Sequence, residues 1–467
     1  MQKTLDKKRI THSAANQLNT TVFRLGGHTL RETDVLPALA QAKASGCLIV
    51  PSQLGDPVAH GLYPYEQFLK YLAEEMSNPK NLCYSNSCGY PPLLELLASG
   101  NVEFGKKGYS LPPERVIIEA GISGAARGLF TVLINKSNGD EVIIPKWSYT
   151  LYLAEAELSE AHIRSVELDK RGIIDLSSLK DGIGKNTKAI FITTIGNPLG
   201  TAISEKEFSS VIDIVNAKER EFNHPIYLVA DTIYEGYRNG AALDPIALSV
   251  NKRLGPTIEL YSLSKLIAAP GLRLGWMRIH HNGSDFKDEV HAFSQACSIM
   301  LQPGLGAVST AAQIALYRLY NELENPEKRS AFDKFRAARR TEVRRRVHGI
   351  YDGLKEIPGL VFPECYYEDG VPGYSALNSF YILAGLSESL LGRQTLSHAR
   401  IMAEHQIVSQ TPAVVVTVPG DHFVADEYRG KGQEFFRIVA LFDDTRDAAI
   451  ASIRSFVESL KPSQVRQ

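Results

Sequence analysis

Between residues 115 and 280 the chain repeats one pattern: a run of five to seven mostly apolar residues, then a longer stretch of mixed character. The runs are RVIIE (115–119), EVIIP (141–145), IRSVEL (163–168), KAIFITT (188–194), IYLVAD (226–231), IELYSL (258–263) and GWMRIH (275–280). A strand with one wet face alternates polar and apolar residues. Most of these runs do not, which marks strands covered on both sides. Segments between several of them, such as 148–158 and 204–218, have helical character. The alternation predicts an α/β domain built on a mostly parallel seven-stranded sheet. Ligands of such sheets bind beyond the carboxyl ends of the strands, so the site belongs just after each run.

Residues 325–354 read as one long helix rich in Arg and Lys. Beyond it, FYILA (380–384), AVVVTV (413–418) and FFRIVAL (435–441) read as strands of a smaller α+β unit, closed by a helix over 443–460. An Ala-rich helical stretch at 35–44 precedes LIVPSQLGDP. The expected organisation is an N-terminal segment, 1–75, contributing to the small domain and the rim of the site. A large domain over 76–325 and a small C-terminal domain over 326–467 follow.

The charge balance, 51 Lys+Arg against 52 Asp+Glu, offers no field for capturing nucleic acid or a membrane surface. The basic residues of the long helix (Lys328, Arg329, Lys334, Arg336, Arg339, Arg340, Arg344, Arg345 and Arg346) therefore read as a solvated face. No run reaches the roughly 18 apolar residues of a membrane-spanning helix. MQKTLDKKRITHSAANQLNTT starts basic but lacks the apolar core of a secretory signal. Five scattered cysteines without a C-x-x-C pair point to reduced thiols in the cytoplasm, with no disulfide framework and no metal site.

Five strand ends carry chemistry. YSLSKLIAAPGLRLGW (261–276) delivers Ser262, Ser264 and Lys265 to a strand terminus, with Arg273 eight positions on. A partly desolvated lysine there suits a Schiff-base nucleophile, and the hydroxyls and guanidinium suit a phosphate. The alternative is a surface lysine in a polar loop. IYLVADTIYEGY places Asp231 at the end of an apolar strand and Tyr234 three residues later. A poorly solvated carboxylate wants a cation, and a protonated pyridine nitrogen is one. A helix-capping aspartate would read the same way. In KAIFITTIGNPLGT, Pro198 holds Asn197 extended towards a ligand, although turn chemistry alone explains N-P-x-G equally well.

VIIEAGISGAARGLF sets Gly121, Ser123 and Gly124 between a strand and a helix, where exposed N–H groups and the helix dipole favour an anion. Its glycines at 121, 124 and 128 match neither the dinucleotide fingerprint nor a phosphate-binding loop ending in G-K-[ST]. In EVIIPKWSYTLYL, Trp147 lies just past a strand end, placed either to stack on a flat heteroaromatic ring or to pack in the core.

In this order the segments G-x-x-[GA]-A, P-x-W, N-P-x-G, D-x-x-Y, S-x-S-K with P-G-x-R-x-G, and a late R-I resemble the fold-type I aminotransferases of class I/II. The resemblance covers roughly residues 50 to 460. It implies pyridoxal 5′-phosphate as cofactor, with Lys265 forming the Schiff base and shuttling the substrate proton. It implies that Asp231 pairs with the ring nitrogen, Asn197 and Tyr234 hold the 3-oxygen, and Trp147 stacks on the ring. Gly121, Ile122, Ser123, Ser262, Ser264 and Arg273 would bind the phosphate. Tyr84 corresponds to a tyrosine offered to the neighbouring subunit's phosphate, which implies a homodimer with shared sites. Arg437 corresponds to the arginine that grips the substrate α-carboxylate, and Gly55 to a backbone contact beside it.

Glu119-Ala120 stands where many relatives have Thr-Asn, Leu199 replaces the commoner Thr, and MLQPGLGAVST (300–310) is less regular than its counterpart. The leading expectation is transfer of an amino group from an L-amino acid to a 2-oxo acid. The same scaffold elsewhere serves C–S lyases, cyclopropane-forming synthases, oxidases and, without catalysis, ligand sensors with an added DNA-binding domain. No second arginine is assigned to a side-chain carboxylate. Tyr63, Tyr65 and Tyr374 are candidates for an aromatic pocket, with packing the simpler reading.

Overall fold

The structure, a computed structural model, describes residues 36–100, 102–105, 108–281, 283, 285–300, 308–387, 390, 398–425 and 435–460. Residues 1–35 of the N-terminal segment and residues 301–307 of the irregular stretch lie outside the described residues.

The seven runs form one seven-stranded sheet: β1 (Val116–Ala120), β2 (Glu141–Pro145), β3 (His162–Val166), β4 (Thr187–Thr193), β5 (Tyr227–Asp231), β6 (Thr257–Ser262) and β7 (Leu274–His280). Their spatial order is β1-β7-β6-β5-β4-β2-β3. All neighbouring pairs are parallel except those of β7, which runs antiparallel to both β1 and β6.

The absence of alternation has a direct cause. In β4, Ala189 and Phe191 enter the core on one face, while Ile190 and Ile192 enter a second core on the other. The first face is covered by helix α1 (Gly121–Leu133) and helix α2 (Thr150–Leu158), with Phe130 stacked on Phe191 at 4.7 Å between ring centroids. The second is covered by helix α3 (Glu205–Phe222), through Phe208, Val211, Ile212 and Val215. Each such buried side chain contributes about 1.5–3 kcal/mol, so polar substitution on either face is costly. Helix α3 starts at a capping box in which the Ser204 side chain accepts from Glu207 N and the Glu207 side chain accepts from Ser204 N.

A four-stranded antiparallel sheet forms the smaller unit: β8 (Leu360–Val361), β9 (Tyr381–Leu386), β10 (Val418–Pro419) and β11 (Phe435–Val439), in the order β10-β11-β9-β8. The short strand Ile49–Pro51 pairs in parallel with Val414–Val416, and Val439 N donates to Ser52 O at 2.9 Å. The segment that follows, Gln53 to Asp56, is thereby carried to the strand ends of the large sheet, where Gly55 O accepts from Lys265 Nζ.

Helix α4 (Pro326–Lys355) links the two sheets and is capped by Asn325, whose side chain accepts from Glu327 N and Lys328 N. Its basic residues are not simply a solvated face. Arg329 donates to Val102 O at 2.8 Å, Arg336 to Glu103 O at 2.8 Å, and Arg346 to His60 O and Leu441 O, both at 2.7 Å. Arg339 is buried and donates to Tyr63 O and Leu266 O. The guanidinium fork satisfies loop carbonyls that would otherwise lack donors, so one face of the helix ties connecting segments together.

Candidate active site

The carboxyl ends of β4, β5 and β6 open into a cavity of about 360 Å³. Gly55, Ile122, Ser123, Asn197, Asp231, Tyr234, Ser262, Ser264, Lys265, Arg273 and Arg437 all line it, which brings together residues from 55 to 437 of the chain. Gly121 stands just behind the wall, with φ 68°, and a Cβ there would lie 3.0 Å from Arg273 Nη2.

Asp231 ends β5 and is 3% exposed. Tyr152 OH donates to its Oδ2 at 2.7 Å and Ile233 N to its Oδ1 at 3.1 Å. Burial pushes its carboxyl up to about 6, against the opposing pull of those two donors and the positive charge of Lys265. No cation lies within ion-pair distance of it among the described residues. A carboxylate held this way on a cavity floor fits a protonated ring nitrogen.

Lys265 follows the end of β6, and its Nζ donates to Gly55 O at 2.6 Å. The amine sits 6.0 Å from the Tyr234 ring centroid and 5.6 Å from that of Phe380. Gly55 has no freedom to carry a side chain, because a Cβ there would lie 2.3 Å from Tyr381 OH.

One end of the cavity is built for an oxyanion. Helix α1 begins at Gly121, Ser262 Oγ donates to Ser264 Oγ at 3.0 Å, and Arg273 sits at the mouth. Among the described residues Arg273 donates to neutral oxygens alone, those of Pro270, Ala120 and Ser123 at 3.1, 3.1 and 3.4 Å. Gly275 is compulsory behind this cradle, since a Cβ would lie 2.8 Å from both Gly121 Cα and Ser262 Cβ. Free N–H groups, two hydroxyls and an unneutralised guanidinium are the donor set that a phosphate takes.

At the opposite end Arg437, on β11, is 1% exposed. Its Nη1 donates to Asn197 Oδ1 at 3.0 Å, its Nη2 donates to Gln53 O, and its Nε has no partner. Its guanidinium stacks on Tyr381 at 4.5 Å and faces Phe423 at 5.1 Å. Burial lowers its pKa from the ordinary arginine value. With no carboxylate beside it among the described residues, this buried cation calls for an anionic ligand.

One expectation differs from the structure. Trp147 does not line the cavity. Its left-handed backbone (φ 61°) puts the ring in an adjoining cleft, edge-on to Phe435 at 5.6 Å. The aromatic that does line the cavity from this segment is Tyr149, at the N-terminal cap of α2, whose hydroxyl burial pushes up to about 12. Tyr84 is 75% exposed and takes no part in its own chain's cavity. Tyr63 is exposed, Tyr65 packs on Phe335 at 4.8 Å and Tyr374 on His348 at 4.4 Å, so none of the three forms an aromatic pocket.

The sequence reading passed over Tyr149, Tyr152 and Tyr381. The first two lie in WSYTLY, just after the strand end where an aromatic was sought. Tyr381 carries no local signal: its hydroxyl meets Tyr234 OH at 2.8 Å because the start of β9 packs on Tyr234, 147 residues earlier in the chain.

Residues 57–453 match the family described as aminotransferase class I and II. The chain is 30% identical to tyrosine aminotransferase of Dictyostelium discoideum over 241 residues, 50% of this chain and 54% of that one, so it spans about half the length of that relative. It is 25% identical over 394 residues to aspartate aminotransferase of Geobacillus stearothermophilus, covering 83% of this chain and 87% of the other. Among solved structures it is similar to alanine aminotransferase from Pyrococcus furiosus, with TM-score 0.75, 22% identity and coverage of 95% and 100%. Tyrosine aminotransferase from Leishmania infantum gives TM-score 0.70, 20% identity and coverage of 89% and 93%.

Proposed function

The chain belongs to the aminotransferase class I and II family, and from that premise we propose how its residues serve the reaction. The enzyme depends on pyridoxal 5′-phosphate and moves an amino group from an amino acid to a 2-oxo acid. The lyase, synthase, oxidase and sensor alternatives are not favoured, since the relatives reported above are aminotransferases. When bound, the cofactor supplies an aldehyde that takes up the amino group and a protonated ring that draws electrons from the substrate's Cα–H bond.

Lys265 Nζ is the amine that would hold the cofactor, and the same amine would take the proton from the substrate's α-carbon as general base and give it back as general acid. Asp231, oriented by Tyr152 and Ile233 N, would pair with the ring nitrogen and keep it protonated. Tyr234 and Asn197, which line the cavity, would hold the 3-oxygen, with Tyr149 beside the ring. Gly121, Ile122, Ser123, Ser262, Ser264 and Arg273 would receive the phosphate. Arg437 grips the α-carboxylate with its planar fork, beside the Gly55 backbone.

The observation that carries this reading is an arrangement of unpaired charges. Among the described residues, a buried acid with no cation at ion-pair distance and a buried guanidinium with no anion at ion-pair distance line one cavity together with the Lys265 amine. Borohydride reduction of the cofactor-loaded protein followed by peptide mapping tests it. The adduct belongs on Lys265, and an adduct on any other lysine overturns the assignment.

A homodimer with shared sites is part of the same reading. Tyr63, Leu82 and Tyr84 are exposed by 65%, 60% and 75%, apolar surface of the kind that a subunit interface would cover. In the dimer Tyr84 is the residue offered to the other subunit's phosphate. Residues 76–325 act as the cofactor-binding unit and 326–467 as the small domain, in an enzyme of the cytoplasm.

A further inference from the structure

Tyr381 opens β9, is 2% exposed, and stands where three parts of the site meet. Its ring carries the Arg437 guanidinium at 4.5 Å and lies edge-on to Tyr234, with centroids 5.6 Å apart and planes at 82°. Its hydroxyl meets Tyr234 OH at 2.8 Å. The missing side chain of Gly55 is what makes room for that hydroxyl, since a Cβ would approach it to 2.3 Å.

Two hydroxyls in one hydrogen bond divide the roles of donor and acceptor. Following the function proposed above, Tyr234 spends its proton on the cofactor's 3-oxygen, so its own oxygen accepts and Tyr381 donates. A hydroxyl that accepts is polarised into a stronger donor, so the effect passes on to the 3-oxygen. The same Tyr381 ring fixes the plane of Arg437 by stacking.

We propose that Tyr381 is a positioning residue. Its hydroxyl donates to Tyr234 and so sets how firmly the cofactor's 3-oxygen is held as an anion, while its ring orients Arg437 for the substrate carboxylate. The two functions belong to different atoms of one side chain and are therefore separable.

The test is a pH titration of the visible absorbance of the loaded enzyme, without substrate, in Y234F, Y381F and the double variant. Weaker donation to the 3-oxygen raises the proton affinity of the adjoining nitrogen–oxygen pair, so the midpoint moves up. Y234F shifts it most. Y381F shifts it the same way by about half a pH unit and leaves the KM for the amino donor within about twofold. The double variant matches Y234F, because the Tyr381 hydroxyl acts only through Tyr234. Y381L, which also removes the ring, raises that KM by about tenfold. A Y381F midpoint equal to wild type, or a shift that adds to that of Y234F, overturns the proposal while leaving the assignment of Tyr234 standing. A silent Y234F removes both.

Discussion

Lys265 Nζ rests 2.6 Å from the carbonyl oxygen of Gly55, a partner 210 residues earlier in the chain. The contact holds the amine against one wall of the cavity, and the Schiff base proposed at Lys265 would break it. K265A is expected to lose turnover by at least about 10⁴-fold, since both the attachment point and the proton carrier disappear. Absorbance of the dialysed protein and steady-state rates check this, and turnover near wild type would contradict it.

The raised pKa of Asp231 has a consequence for stability with a definite sign. Burial pushes its carboxyl up to about 6 from the ordinary 3.8 of a free aspartate, so the folded state holds the proton more tightly. The cofactor-free enzyme therefore loses stability as pH rises between these values, by about 2–3 kcal/mol in all, and bound cofactor restores it by supplying the cation. Cofactor-free D231N is expected to melt higher than wild type at pH 7.5 and equal to it near pH 4, yet to retain cofactor poorly. Thermal melts of both proteins across pH, with and without cofactor, measure this.

Arg437 tests the α-carboxylate grip. R437L is expected to lower kcat/KM by about 100-fold, mostly through KM, from the loss of a bidentate charge-assisted pair. R437K recovers only a small part, because an ammonium cannot reproduce the fork. Steady-state kinetics with a fixed 2-oxo acid decide it.

The two aromatics after β2 should separate cleanly. Y149A is expected to speed cofactor loss by about tenfold, since its ring lines the cavity. W147A leaves cofactor retention unchanged and lowers the melting temperature, because its ring packs on Phe435 outside the cavity. Fluorescence-monitored cofactor release and melting curves distinguish them.

The large sheet was legible because its strands are sandwiched between two helical layers: runs such as KAIFITT need no polar face, and few other elements read that way. Most of the candidate site was legible for a related reason, since the strand ends of a parallel sheet point the same way and small or charged residues there stand out against the apolar runs. What failed was side-chain direction. Trp147 sits at the expected strand end, but its backbone takes the left-handed turn and the ring leaves the cavity. Tyr152 and Tyr381 were invisible because tyrosine is abundant, 20 residues in this chain, and nothing local separates a packing hydroxyl from one that orients a carboxylate. The long helix misled in the other direction: its arginines look solvated until the loops that they tie down are present in three dimensions.

The strand Ile49–Pro51 is stitched to Val414–Val416, and Ser52 to Val439, on the side of the molecule that also carries Arg437. The stop against which the idle lysine leans is thus bolted to the same plate as the clamp for the incoming acid. Gln53, two residues before that stop, accepts from the clamp itself, so a shift of one would carry the other with it.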